Sequence, residues 1–71
     1  MEHGTIVKVN GHRGSWSVIA CEVIRGRKLN LLEHTFWGDE AANLIVNEKG
    51  ALVMEDVYNG FDDYREMKGW L

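Results

Sequence analysis

The chain alternates short runs of β-branched and aromatic residues with glycine-containing turns. Eight glycines divide the sequence, and it contains no proline. Such runs, at intervals of about 8–12 residues, are typical of a meander of short antiparallel strands. We therefore predict five strands, over residues 5–9, 15–24, 29–37, 43–47 and 51–57.

Two of these predicted strands have apolar residues at both odd and even positions. In the second, Trp16 and Val18 share one face, whereas Ile19 points to the other. A strand whose inward face changes parity bends or carries a bulge. The third strand shows the same mixture at Leu31 and Leu32. Two long strands of this kind favour a sheet curled toward a small barrel over a flat one.

Two turn sequences set off the predicted hairpins. Asn10-Gly11 is a strong hairpin signal, because both residue types tolerate positive φ. The sequence Asn47-Glu48-Lys49-Gly50 predicts a type I turn with the glycine in the left-handed conformation. Between the second and third strands, residues 25–28 turn the chain.

The last segment changes to helical spacing, carried by Phe61, Tyr64 and Met67. Asn59 is the predicted N-cap, and the aspartates at 62–63 occupy the first turn, where the helix dipole favours anions. Lys68 and Gly69 suit the C-terminal end. We predict a helix over residues 60–68 that packs its apolar side on the sheet. The expected fold is α+β but mostly β: a five-stranded antiparallel meander closed by one helix.

Length and residue usage narrow the setting. Seventy-one residues make a single small domain, which we take to span 1–71. One cysteine excludes an internal disulfide. No apolar run is long enough to cross a bilayer, and residues 1–4 lack the features of a signal peptide. We therefore expect a cytoplasmic protein with no membrane partner.

Charge is distributed unevenly along the chain. Residues 1–28 carry five cations and two anions, whereas residues 29–71 carry nine anions and three cations. This asymmetry predicts faces of opposite sign and offers two kinds of partner.

The acidic half suggests a protein-binding face that occupies a basic groove on a partner, or on a second copy in a homodimer. Its predicted members are Trp37, Asp39, Glu40, Glu55 and Asp56. Tryptophan is enriched at binding hot spots, so Trp37 and Trp70 are candidate apolar anchors.

The basic residues suggest the alternative of a small β-barrel that binds nucleic acid. The candidate patch consists of Arg13, Arg25, Arg27 and Lys28, in two loops that a meander would bring to one end. A pI near 5.5 opposes phosphate binding outside this patch.

The sequence offers little for catalysis. His12 or His34 is a candidate base for the Cys21 thiol if the second and third strands pair. We interpret Cys21 as a small hydrophobe within a strand, and His34 as a cross-strand partner on the surface. Neighbouring carboxylates on a strand, such as Glu55 and Asp56, point to opposite faces and make a poor catalytic dyad.

Metal and cofactor motifs are also absent from the sequence. The spacing of His3, His12, Cys21 and His34 matches none of the close ligand pairs of structural zinc sites. No glycine-rich phosphate loop leads from a strand into a helix. We expect a protein that is not an enzyme and binds neither metal nor cofactor.

Four stretches carry a resemblance: Leu32-Glu33-His34, Gly38-Asp39-Glu40-Ala41-Ala42, Leu44-Ile45-Val46 and Val57-Tyr58-Asn59-Gly60-Phe61-Asp62-Asp63. The chain from Leu31 to Met67, about half of it, resembles short proteins carried on bacterial mobile elements such as conjugative transposons and prophages. The resemblance implies a cytoplasmic accessory protein, with a role against host defence as one prospect. It transfers no functional residue.

Overall fold

A computed structural model describes residues 1–67 of the chain. Its elements are β1 Ile6–Val7, β2 Trp16–Ile24, β3 Arg27–His34, β4 Asn43–Asn47, β5 Leu52–Val57 and α1 Phe61–Arg65. The strands form one antiparallel sheet in the order β1-β2-β3-β4-β5. The predicted five-stranded meander with a C-terminal helix packed on it is confirmed.

The sheet curls into a half-barrel, and its bends lie where the cross-strand register shifts. In β2, Val18 pairs with Leu32 but Ala20 pairs with Leu31, so that Ile19 is an extra residue. This is the bulge that the mixed parity of β2 predicted. The register between β4 and β5 shifts twice more.

Both faces of the sheet are covered. On one face, which we call the helix face, Leu31, Ile45 and Val57 pack with Phe61 and Tyr64 of α1. On the other, the tryptophan face, a second cluster contains Val9, Trp16, Val18, Leu32, Leu44 and Val46. Strand β3 contributes alternate residues to the two clusters, which explains its mixed apolar parity.

Three strand ends differ from the sequence-based prediction by two residues or more. Strand β3 begins at Arg27, so Arg27 and Lys28, predicted in the turn 25–28, already pair with β2. Strand β1 is only Ile6–Val7, because a turn closed by the amide of His12 and the carbonyl of Val9 follows soon after it. Strand β3 ends at His34, because its ring draws the next two amides into a turn. Residues 35–37, predicted as strand, therefore belong to a loop.

The tightest hairpin is not the one that the sequence indicated. Residues 8–15 separate β1 from β2, so Asn10-Gly11 forms a turn within a longer loop. The two-residue connection is Arg25-Gly26, where Ile24 pairs with Arg27 and the φ angles of the loop are 52° and 78°. Positive φ at both positions is the geometry of a type I′ hairpin, which fits the twist of the strands.

The turn at 47–50 is confirmed. The amide of Gly50 donates to the carbonyl of Asn47 at 3.0 Å, and Gly50 has a φ of 82°. The side-chain oxygen of Asn47 also accepts the amides of Lys49 and Ala51 at 2.9 and 3.0 Å.

Helix α1 is shorter than predicted, and its first turn is organised differently. Phe61 and Tyr64 are buried and Met67 packs against the same cluster, as predicted. The N-cap is Gly60 without a side-chain cap, so the assignment of Asn59 was wrong. The predicted C-terminal end, Lys68 and Gly69, lies outside the described residues.

The carboxylate of Asp63 binds the two residues that precede the N-cap. It accepts the backbone amides of Tyr58 and Asn59 at 2.7 and 3.1 Å, and the side-chain amide of Asn59 at 3.0 Å. The bond from the Tyr58 amide is the main cause that lowers the pKa of Asp63 below its usual 3.8. Ionised Asp63 therefore ties α1 to the end of β5.

We expect Asp63→Asn to lower the melting temperature at pH 7. Because folding lowers this pKa, the ionised group stabilises the protein above pH 3.8, and the contribution disappears as the pH falls through the folded-state pKa. The difference between the two proteins should therefore shrink in acid when melting is followed by circular dichroism. The control is Asp62→Asn, since exposed Asp62 only contacts Arg65. Equal losses in both variants would contradict the prediction.

Candidate functional site

The meander brings all five residues of the predicted protein-binding face to one end of the sheet. Trp37, Asp39 and Glu40 lie in the loop between β3 and β4, and Glu55 and Asp56 lie at the end of β5. In an antiparallel meander these two segments meet at the same end. We call this region, residues 35–42 with 55–58, the acidic end.

His34 is the residue that organises the acidic end. Its Nδ1 accepts the amides of Phe36 and Trp37 at 3.1 and 3.2 Å. The proton is therefore on Nε2, which lies 3.2 Å from the carbonyl oxygen of Arg13 and donates to it. The side chain is only 6% exposed, so its interpretation as a surface partner was wrong.

Two tryptophans pack against the ring of His34. Trp16 meets it edge-on, with centroids 4.9 Å apart, and Trp37 stacks on it at 4.5 Å with an interplanar angle of 29°. Trp37 remains 51% exposed. Its ring is thus fixed on one side and open to solvent on the other.

The same contacts continue to β5. His12 lies edge-on to Trp16 with centroids 6.2 Å apart, and its Nε2 is 3.2 Å from a carboxylate oxygen of Glu55. Glu55 and Trp37 are therefore joined through three rings on the tryptophan face. This continuity holds the loop 35–42 and the end of β5 in a fixed relation.

Gly14 makes the close approach to His34 that this arrangement requires. A Cβ added at Gly14 would lie 2.5 Å from Nε2 of His34, and the φ of Gly14 is 78°. Gly11 has a similar φ of 83° but no atom within 4 Å of an added Cβ. Both glycines therefore adopt a positive φ angle, but of the two only Gly14 packs against a side chain, that of His34.

We expect Gly14→Ala to destabilise the protein more than Gly11→Ala. Both substitutions add a backbone strain of about 1–2 kcal/mol. Gly14→Ala also displaces His34, at a further cost of about 1–3 kcal/mol. Urea unfolding gives both values, and the NMR signal of the Trp37 indole N–H should shift only for Gly14→Ala. Equal losses would show that His34 is not held through this contact.

Two carboxylates meet within the acidic end. The side chain of Glu33, at the end of β3, hydrogen-bonds that of Asp39, and this contact is the main cause that raises the pKa of Glu33 above its usual 4.5. Partial desolvation and the repulsion of the Asp39 charge act in the same direction. The ionised form of Glu33 is therefore disfavoured beside the charge of Asp39.

We expect Asp39→Asn to lower the pKa of Glu33 toward 4.5 and to raise stability at pH 7. A raised folded-state pKa means that stability is lost as the pH increases through it, and the substitution removes the cause. Titration of Glu33 by NMR and thermal melting at pH 4 and pH 7 test both parts. An unchanged Glu33 pKa would contradict the hydrogen bond with Asp39.

The basic residues do not form the patch that the sequence suggested. Arg13 precedes β2, whereas Arg25, Arg27 and Lys28 surround the hairpin that follows it. Strand β2 has nine residues, so about 30 Å of strand separates Arg13 from the others. Lys49, in the turn between β4 and β5, lies at the hairpin end instead. We call residues 25–28 with Lys49 the basic end.

The catalytic and metal alternatives find no assembled site in the described part of the chain. Cys21 pairs with Asn30 and His34 pairs with Trp16, so neither His34 nor His12 reaches the thiol. Cys21 is exposed rather than buried, and its thiol donates to the carbonyl of Met1 at 3.0 Å. Residues 1–67 contain no group of three or more histidine, cysteine, aspartate or glutamate side chains placed to hold a metal.

Two exposed aromatics of the acidic end were not among the residues predicted for the protein-binding face. Phe36 is 77% exposed, with its ring 6.0 Å from that of Trp37, and Tyr58 is 73% exposed. Tyr58 lines a shallow cleft of about 290 Å³ together with Asp39 and Glu40. Their position in the sequence could have indicated their exposure, since both residues adjoin a predicted turn. Trp70 lies outside the described residues.

Comparison with known proteins gives one match. The family model described as large polyvalent protein-associated domain 18 (LPD18) matches residues 2–70. No curated protein and no solved structure matches the chain. Among residues 1–67, no helix has the length and hydrophobicity that crossing a bilayer requires.

Proposed function

The chain belongs to the large polyvalent protein-associated domain 18 family, a domain associated with mobile elements, and from this premise we propose that it is a small non-enzymatic protein-binding module. Its acidic end contacts a basic groove on a partner protein. As part of a mobile element's proteins, such a module acts as an accessory that occupies a partner's nucleic-acid channel.

The observation that carries this proposal is the way Trp37 is held. Stacking on His34 fixes the ring, while about half of the residue stays open to solvent. An anchor that is already ordered loses little conformational entropy on binding. Phe36 and Tyr58 extend the exposed aromatic surface on both sides of it.

The charges around Trp37 determine the kind of partner. Within residues 1–67, neither Glu40 nor Asp56 has an ion-pair partner. Asp39 contacts Glu33, which carries the same sign of charge. A guanidinium group satisfies such carboxylates and also stacks on aromatic rings. The acidic end therefore suits an arginine-rich surface.

We expect a synthetic peptide of alternating arginine and serine to bind at the acidic end. In a 15N NMR titration the shifts should concentrate on the Trp37 indole and on residues 39–40 and 55–56. Trp37→Ala should weaken binding about 30-fold, the loss of a hot spot of roughly 2 kcal/mol.

Two double variants with the same change in net charge distinguish binding at the acidic end from nonspecific electrostatic attraction. Asp39→Lys with Glu40→Lys should abolish peptide binding, whereas Glu2→Lys with Glu66→Lys, the same change in net charge elsewhere, should leave it within about twofold. Equal losses in both double variants, or shifts spread over the whole surface, would refute the acidic end as the binding site.

Nucleic-acid binding remains the second candidate, supported by the basic end. Two neighbouring hairpins place Arg25, Arg27, Lys28 and Lys49 there, and the carboxylate of Glu48 at this end is engaged by the ammonium group of Met1. Retention on heparin that is lost after reversal of Arg25, Arg27 and Lys28 to glutamate would favour this candidate. Arg13 is no longer part of the patch.

A further inference from the structure

Strand β2 has an outer edge that residues 1–67 leave open along its second half. Strand β1 pairs only with Trp16 and Ser17, and the backbone of residues 4–5 bonds Val18. No backbone bond from residues 1–67 reaches the outer side of Ala20–Ile24. Five residues of regular strand therefore present their outward amides and carbonyls beyond the bulge.

The N-terminal residues turn away from this edge instead of covering it. The amide of Thr5 bonds the carbonyl of Glu2 at 3.1 Å, and Gly4 has a φ of 90°. Met1 then lies on the tryptophan face, where its carbonyl accepts the thiol of Cys21 and its ammonium group contacts Glu48. Met1 and Glu2 line a groove of about 450 Å³ together with Cys21, Glu22 and Val23, beside this edge.

The other edge of the sheet is protected. Strand β5 shifts register twice against β4, and Asp56 has a φ of 55°. Bulges and charged residues at an edge disfavour pairing with another strand. Beyond Ile19, β2 has no bulge, since its register with β3 runs unbroken from Ala20 to Ile24, and its one charged residue is Glu22. The two edges thus differ in their readiness to accept a strand.

The open segment is complementary to itself. Its sequence is Ala-Cys-Glu-Val-Ile. In an antiparallel pair of two copies centred on Glu22, Cys21 lies opposite Val23 of the other copy, and Ala20 lies opposite Ile24. Val23 is 63% exposed in the single chain, so this pairing removes an apolar side chain from water.

In this arrangement Glu22 of one copy lies opposite Glu22 of the other, so two like charges meet at the centre. Each Glu22 is already bound by Arg65 of its own chain, which is held by Asp62 at 3.0 Å. The ion pair lies on the helix face, on the opposite side from Cys21 and Val23. Charge repulsion at the centre is therefore compensated before the two copies meet.

We infer that the outer edge of β2 is a pairing site for a second copy of this chain, with the two strands antiparallel and centred on Glu22. The result is a continuous sheet across a two-fold axis, and the interface is isologous. Five paired residues make a small interface, so the association belongs to the weak, reversible class. Both acidic ends stay exposed, and the dimer presents two copies of the proposed binding site.

Disulfide trapping tests this register directly. Residues opposite each other in an antiparallel pair have Cα atoms about 4.5–5.5 Å apart, within the range that a disulfide spans. Val23→Cys should therefore give a covalent dimer through Cys21 of the other copy under mild oxidation. The wild-type protein should not, because its two Cys21 residues lie diagonally, beyond the roughly 7 Å limit.

Two controls complete the experiment. Cys21→Ser combined with Val23→Cys leaves only diagonal thiols and should form no covalent dimer. Leu52→Cys places an exposed thiol on β5, outside the proposed pairing, and should not cross-link through it either. Equal cross-linking of all variants, or of the wild type, would overturn the proposed pairing. Sedimentation of the wild type should show dimers at high concentration that Val23→Lys removes, and a monomer throughout would also overturn it.

Discussion

Strand β3 is buried on both faces, and the positions of the other elements follow from this. Leu31 packs beside Ile45 toward α1, while its neighbour Leu32 packs beside Leu44 toward Trp16. A single sheet with two apolar faces needs two covers. Helix α1 covers one of them with Phe61 and Tyr64. The loop from β1 to β2 covers the other with Val9, and the curl of β2 brings that cover close.

The fold was accessible from the sequence because its signals are local. Strand order follows from short connections, and the parity change at Ile19 was enough to indicate the bulge. The errors concern side chains whose surroundings come from distant segments. His34 is buried because residues 9–16 fold across it. Asn59 is not the cap because its side chain donates to Asp63 instead of accepting the first amides of the helix. Cys21 is exposed because β1 is too short to reach it.

The acidic end was predicted as a set of residues but not as a geometry. Antiparallel connection alone brings Asp39 near the end of β5, so the grouping follows from strand order. The orientation of Trp37 depends on both nitrogens of one histidine and on the missing side chain of Gly14, which no periodicity reveals. Arg13 was grouped wrongly with Arg25, Arg27 and Lys28. The loop that contains Arg13 and the hairpin that contains the other three lie at opposite ends of β2. Because apolar clusters cover both faces of the sheet, the ends and edges are the surfaces of residues 1–67 that we propose for recognition.

The bulge at Ile19 also determines how the chain tolerates changes in length. Val18 pairs with Leu32, and Ala20 pairs with the adjacent Leu31. If Ile19 were removed, Val18 and Ala20 would be neighbours in a regular strand, and every side chain of β2 would keep its face. A homologue one residue shorter here would keep every other cross-strand partner and lose the bend together with the contact of Ile19 with the helix-face cluster. The deletion of one residue can therefore change the curvature of this sheet while the pairing of the other residues of β2 stays the same.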